Sequence, residues 1–134
     1  MIHLEVVTPE RLVFEAEVDR VDVPGLDGYL GILPGHAELI SQLKPAGLLS
    51  YYIGDERGDI AIAEGYVEVN PDRVVVLANQ ASRPEDIDLS QALSTRDRAE
   101  RNLQRALADP DADWLLAMIE LERASIQVQV AQKR

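Results

Sequence analysis

Glu85-Asp86-Ile87-Asp88-Leu89-Ser90-Gln91-Ala92-Leu93 is the stretch at which the chain changes its hydrophobic period. Downstream, Leu89, Ala92, Leu93, Ala99, Leu103, Ala106 and Leu107 recur at helical steps and fall on one face of a helix. Asp88 is placed to cap that helix, with Gln91 in the reciprocal capping position. Asp109-Pro110-Asp111 stops it, because proline disfavours helical backbone in the residue before it and offers no N–H. A second helix is predicted over about residues 112–132, with Trp114, Met118, Leu121 and Ala124 near one face, joined by Leu115, Ile119 and Ile126. So short a link predicts an antiparallel helical hairpin. The two helices carry more apolar surface than they can bury on each other. The hairpin therefore rests on its own domain or leaves it for another protein, and the sequence leaves both readings open.

Upstream of the junction the period is two. Ile2, Leu4 and Val6 alternate with His3 and Glu5, and Phe14, Ala16 and Val18 with Glu15, Glu17 and Asp19. After Arg20 the phase slips to Val21 and Val23, which predicts a bulge, a bend or a change of partner. Residues 47–52 and 59–63 flank the turn Gly54–Gly58, and residues 66–69 and 73–78 flank Asn70-Pro71-Asp72, giving two hairpins. Short, closely spaced strands predict an antiparallel sandwich or barrel. The chain thus reads as mainly β plus α: an antiparallel β-sandwich over residues 1–84, then a two-helix hairpin over residues 85–134.

Composition narrows the function. Aromatics are only 4% of the 134 residues, so the core must be aliphatic, and with no cysteine neither a disulfide nor a thiolate metal site can form. Acids outnumber bases 24 to 13, for a net charge of −11, which argues against nucleic acid and anionic lipid as direct partners. Most of that excess lies in residues 1–84, with 14 acids against 6 bases. The start of the chain lacks a basic, then apolar, leader, and no apolar run approaches the ~20 residues a membrane helix needs. The expectation is a soluble protein that reaches membranes only through partners. Phosphate-binding glycine loops and nucleophile elbows are absent from the sequence, so no catalytic residue is assigned. His3 and His36 have no evident metal-ligating neighbours in the sequence, and no metal site is expected.

Several segments, in order, resemble the epsilon subunits of rotary F-type ATP synthases. Asp27-Gly28-Tyr29-Leu30-Gly31-Ile32-Leu33-Pro34-Gly35-His36 is similar to that family's G-x-L-G-I-L-P-G-H segment. Lys44-Pro45-Ala46-Gly47, Gly65-Tyr66-Val67-Glu68-Val69 with Val74–Ala78, Glu85–Asp88 and the opening Val7-Thr8-Pro9-Glu10 match further segments. The resemblance implies a sandwich of about ten strands plus a helical hairpin, at the foot of the central stalk. It implies binding to the gamma subunit and the ring of c subunits. The complex makes ATP from ADP and phosphate on its alpha and beta subunits, using a proton gradient, so this chain is expected to be an accessory subunit and not an enzyme. The resemblance implies a peripheral place on the cytoplasmic face of a bacterial plasma membrane, or the stromal face of a thylakoid.

Residue roles follow from that resemblance. Gly28, Gly31 and Gly35 break an apolar run that Pro34 stiffens, which reads as a turn and also as a preshaped loop for a partner. Tyr29, Leu30, Gly31, Pro34, Gly35 and His36 are the candidate contacts with gamma and the c-ring. On the first helix Arg98, Arg101 and Arg105 form a basic stripe, with Asp97 placed to pair with Arg101. The stripe reads as a solvated face or as a dock for an acidic partner. In the family an extended hairpin sets basic residues against an acidic loop of beta and blocks hydrolysis. Here the second helix offers only Arg123, Lys133 and Arg134 against Glu120 and Glu122, which weakens the case for strong inhibition.

An alternative reading is an ATP-sensing module. Some members hold ATP on the hairpin through an I-D-x-x-R-A motif. Asp88 and Ala92 match it, and Arg98 and Arg123 fit later positions, but Gln91 and Gln127 stand where arginines are expected. Glutamine cannot make the forked, charged contact of a guanidinium with phosphate, and each such loss costs roughly 1.5–3 kcal/mol. No cofactor is therefore expected beyond weak ATP binding.

Overall fold

The computed structural model describes residues 1–133, so Arg134 lies outside the described residues. Eight strands come first: β1 (Ile2–Val7), β2 (Leu12–Val18), β3 (Arg20–Gly25), β4 (Gly28–Ile32), β5 (Leu39–Gln42), β6 (Gly47–Ile53), β7 (Glu56–Asn70) and β8 (Arg73–Ser82). A 3-10 turn at Pro84–Asp86 leads into helices α1 (Leu89–Leu107) and α2 (Trp114–Ala131). The strands hydrogen-bond in the order β2-β1-β8-β7-β6-β3-β4, with β5 on the second half of β7.

This one sheet folds over itself into a sandwich because β7 serves both layers. Its first half pairs with β6 and its second half with β5, while β8 runs along the opposite edge from Ala61 to Asn70 and so spans both layers. The bend falls at Glu64-Gly65, where both residues take positive φ, 57° and 125°. The linker between β5 and β6 satisfies the bent backbone: Leu43 N–H donates to Gly65 C=O and Glu64 N–H to Lys44 C=O. The sequence reads this strand as two pieces, since Glu64 and Gly65 interrupt the apolar pattern. Two strands, β7 and β8, therefore pass through both layers, and the expected count of about ten becomes eight continuous strands.

The period-two pattern sets the core. Ile2, Leu4, Val6, Val67, Val69, Val74 and Val76 from one layer meet Val21, Val23, Ile32, Leu49, Ile60 and Ile62 from the other, all nearly or fully buried. At Asp19 the chain leaves β2, which pairs with β1 alone, and enters β3, which pairs with β4 and β6. The phase slip in the sequence is thus a change of partner. One pair departs from the antiparallel rule: β1 runs parallel to β8, with His3 opposite Arg73 and Val7 opposite Leu77. A parallel pair needs a long connection, and the rest of the sandwich supplies it.

The first helix starts at the cap the sequence predicts, whereas the second starts at Trp114 rather than about residue 112, behind an Asp113 cap that the sequence reading did not name. Asp88 accepts from Gln91 N–H, and Asp113 accepts from Leu116 N–H, each at 3.0 Å. α1 turns the small side chains of Ala92 and Ala99 inward, so α2 packs close to it. The hairpin rests on the sandwich through α2, which contacts β6, β7 and the 3-10 turn. Ala61, Ile87, Val128, Val130 and Ala131 form the buried seam. Trp114 and Met118 do not join Ala124 in burial. They stay about half exposed, because α2 meets the sandwich mainly through its C-terminal half.

Candidate functional site: loop tip, basic stripe and hairpin seat

The glycine-rich loop extends β4 past Ile32 and is pinned at its tip. Gly35 N–H donates to Pro71 C=O in the β7–β8 turn at 2.7 Å, and His36 N–H to Leu33 C=O. Gly28 and Gly35 take positive φ and Gly31 does not. Tyr29 exposes its ring, but its hydroxyl donates to Leu48 C=O at 2.9 Å and the Lys44 ammonium sits 5.8 Å from the ring centre. Leu30 is half buried and packs against the core, so it offers a partner less than the sequence indicates. Gly31, Pro34 and Gly35 are exposed, and His36 is partly covered, its Nδ1 2.8 Å from the Ala37 carbonyl. Sequence reasoning missed Leu33 and Ile40, which are 55% and 74% exposed beside this tip. The parity of β5 was the available signal for Ile40, since it lies opposite the outward-facing Glu68.

The hairpin brings the expected nucleotide residues to one face but divides them between two adjoining clefts. Asp88, Gln91 and Ala92 line one of about 210 Å³, together with Asp86 and Ile87. Arg98 and Arg123 line another of about 310 Å³, with Asn102 and Glu120. Thr95, Ala124 and Gln127 border both. The first cleft has two carboxylates and no cation. In the second, the Arg123 guanidinium already donates to Glu64 at 2.9 Å and to Pro45 C=O at 3.3 Å. Arg98 is the one cation of the two clefts with no ion pair among the described residues, so a triphosphate would find a single uncommitted guanidinium where its several negative charges call for more.

Arg98, Arg101 and Arg105 are all exposed along α1 and form no ion pair among the described residues. The expected Asp97–Arg101 pair is not formed. Holding two long exposed side chains in one geometry returns only ~0–1 kcal/mol, so solvation competes on even terms.

Two titratable clusters were not legible in the sequence. The β1–β2 register places His3 between Glu15 and Glu17, with ring nitrogens 2.8 and 2.7 Å from their carboxylates, and Glu5 beside them. His3, Glu5 and Glu15 offer ligand atoms within 4.8 Å of one another, which corrects the reading that His3 has no metal-ligating neighbour. Hydrogen bonds to Glu17, then Glu15, raise the His3 pKa above its ordinary 6.5. The stabilisation is therefore fully present below the ordinary value and is lost as pH rises through the raised one. His3→Gln should lower the melting temperature at pH 5 and make progressively less difference toward pH 9. An equal difference at every pH would count against the cluster.

The other cluster centres on Asp59 of β7, which is 5% exposed. Burial pushes its pKa up, but hydrogen bonds from Lys133, Ser50 and Arg57 outweigh it and hold the carboxyl below its ordinary value. Lys133 comes from the end of the hairpin, and with Arg123–Glu64 it forms the second ion pair across the seam.

Two family models match the chain over residues 1–132: the ATP synthase delta/epsilon chain beta-sandwich domain over residues 1–84, and the long alpha-helix domain of the same chain over residues 85–132. The ATP synthase epsilon chain of Dehalococcoides mccartyi is 43% identical over 136 aligned positions, covering 99% of this chain and 94% of the relative. That of Moorella thermoacetica is 40% identical over 131, covering 97% and 96%. Among solved structures, a chain of the Euglena gracilis mitochondrial ATP synthase superposes with a TM-score of 0.76 at 22% identity, over 99% of this chain and 81% of that one. One from the central stalk and c-ring of the Tetrahymena thermophila enzyme gives 0.53 at 12%, over 98% and 94%. At those identities the structures speak to the fold alone. The chain belongs to the ATP synthase delta/epsilon family, as an epsilon-type accessory subunit and not a catalytic one.

Proposed function

We propose that this chain is a rotor subunit of a proton-translocating F-type ATP synthase, in which residues 1–84 join gamma to the c-ring and residues 85–134 regulate hydrolysis. The observation that carries this reading is the contrast between the two parts. The sandwich is built around one continuous aliphatic core and presents a pinned, partly apolar loop tip at Tyr29, Leu33 and Pro34. The hairpin meets it across a seam of small side chains and two ion pairs. A rigid coupler carrying a separable arm fits a part that transmits torque and also responds to it. When extended, the arm would set Arg98, Arg101 and Arg105 against acidic surface on the alpha and beta subunits. No helix among the described residues is long and apolar enough to cross a membrane. The chain would therefore reach the cytoplasmic face of a bacterial plasma membrane through gamma and the c-ring.

The test adds the full chain, or a version ending at Glu85, to a complex lacking its epsilon chain. Gamma binding and ATP hydrolysis are read together. Both versions should bind, and only the full chain should slow hydrolysis. If neither binds, the coupling role fails; if both bind and neither slows hydrolysis, the braking role fails.

A further inference from the structure

We propose that Asp59 is the catch of a latch closed by Lys133, and that this single contact governs how readily the hairpin leaves its seat. The inference rests on the reading of the hairpin as a separable arm.

Asp59 is a buried carboxylate in a chain with no catalytic use for one. Its Oδ1 accepts from Ser50 Oγ at 2.6 Å and from Arg57 Nε at 3.1 Å, and Arg57 Nη2 braces Ser50 Oγ at 3.0 Å. All three groups belong to β6 and β7, so the catch is assembled whether or not the hairpin is present. Its Oδ2 accepts from Lys133 Nζ at 2.7 Å. Lys133 reaches it only when α2 is seated, because the helix end that carries it is held by the buried Val128, Val130 and Ala131.

The geometry suits repeated opening. Removing one member of a buried ion pair is usually costly because the other is left uncompensated. Here Asp59 keeps Ser50 and Arg57 when Lys133 departs, and the departing helix uncovers Oδ2 to water. Lys133, 39% exposed at its side chain, is already partly solvated. Release therefore strands no buried charge. The other pair across the seam, Arg123–Glu64, has its carboxylate 52% exposed and holds less strongly. The Lys133 contact is a charge-assisted hydrogen bond to a shielded acceptor, and its loss should raise the open population roughly 10–100-fold.

The chain contains no cysteine, so a single introduced thiol reports on the seam. Ala61→Cys lies beneath α2 and Val128→Cys lies on the helix side of the same contact. Ala78→Cys, which belongs to the sandwich core and not to the seam cluster, is the control. In the full chain, Lys133→Ala should speed thiol labelling at either seam position roughly 10–100-fold, leave Ala78→Cys unchanged, and be largely rescued by Lys133→Arg. Unchanged labelling at the seam would overturn the latch, as would equal acceleration at Ala78→Cys, which would make Lys133 a general stabiliser. Faster seam labelling with no change in ATP hydrolysis by the reconstituted complex would uphold the latch and sink the braking role.

Discussion

Gly65→Ala should lower stability by roughly 3 kcal/mol or more and the melting temperature by roughly 10 °C or more. Two independent strains meet at this position. The backbone sits at φ +125°, which L side chains rarely adopt, and an added Cβ would lie 1.9 Å from the Leu77 carbonyl oxygen and 3.0 Å from Ala78 Cα. Neither neighbour can yield, because both are backbone atoms of the adjacent strand. The consequence also reaches the hairpin seat: the bend at Gly65 lets β7 serve both layers and sets Glu64 facing Arg123. Gly54→Ala is the control. Its φ of +58° is also positive, but nothing lies within 4 Å of the added methyl, so a loss of only about 1 kcal/mol is expected. Thermal melts of the two variants side by side separate steric closure from backbone preference. Equal losses would show that the contact with Leu77 is relieved by movement.

Leu4→Ala should cost about 2–5 kcal/mol, whereas Leu77→Ala should change stability by no more than about 0.5 kcal/mol. The two residues lie on adjacent strands and differ in the face they occupy. Leu4 is fully buried between Ala16 on β2 and Val74 on β8, and truncating it leaves a cavity in the middle of the aliphatic core. Leu77 pairs with Val7 on the outer face and is 49% exposed. Denaturant titration of both variants reads the difference directly. A large loss at Leu77 would mean that the outer face is covered in the free chain.

These contrasts show which features the sequence encodes openly. Alternation on β1 and the helical steps after Asp88 are local signals, and both reappear in the structure, although Leu107 at the end of the predicted face is 65% exposed and the cap is made by the Asp88 carboxylate on Gln91 N–H alone. What was hidden depends on distant pairing. Nothing local to Ile2–Val7 says that β8 will lie beside it in parallel, and nothing in Glu15 or Glu17 says that His3 will sit between them. Glu64-Gly65 looked like a break because a bend that keeps its hydrogen bonds on both edges has the same sequence signature as a loop. The candidate site residues divide the same way. The loop and the arginine stripe could be located, since both are local motifs. Their state could not: Leu30 turned inward, the Asp97–Arg101 pair did not form, and Leu33 and Ile40 became the exposed neighbours. The Lys133–Asp59 contact joins residues too far apart for any spacing rule to connect them.

The parallel pairing of β1 with β8 also fixes an order of events in the life of the chain. The first strand finds its second neighbour only after nearly all of the sandwich has been made, since His3 waits for Arg73 and Val7 for Leu77. During synthesis the N-terminal segment can form its hairpin with β2 early, but its other edge stays open until β8 leaves the ribosome. Closing that loop costs entropy before it returns any contact, so the sheet is the slow step and the local helices α1 and α2 form quickly once exposed. The hairpin can find its seat only on a finished sandwich, because Ala61 of β7 pairs with Ser82 at the end of β8. Assembly thus closes last between β1 and β8, and the helical hairpin is the final piece to be set in place.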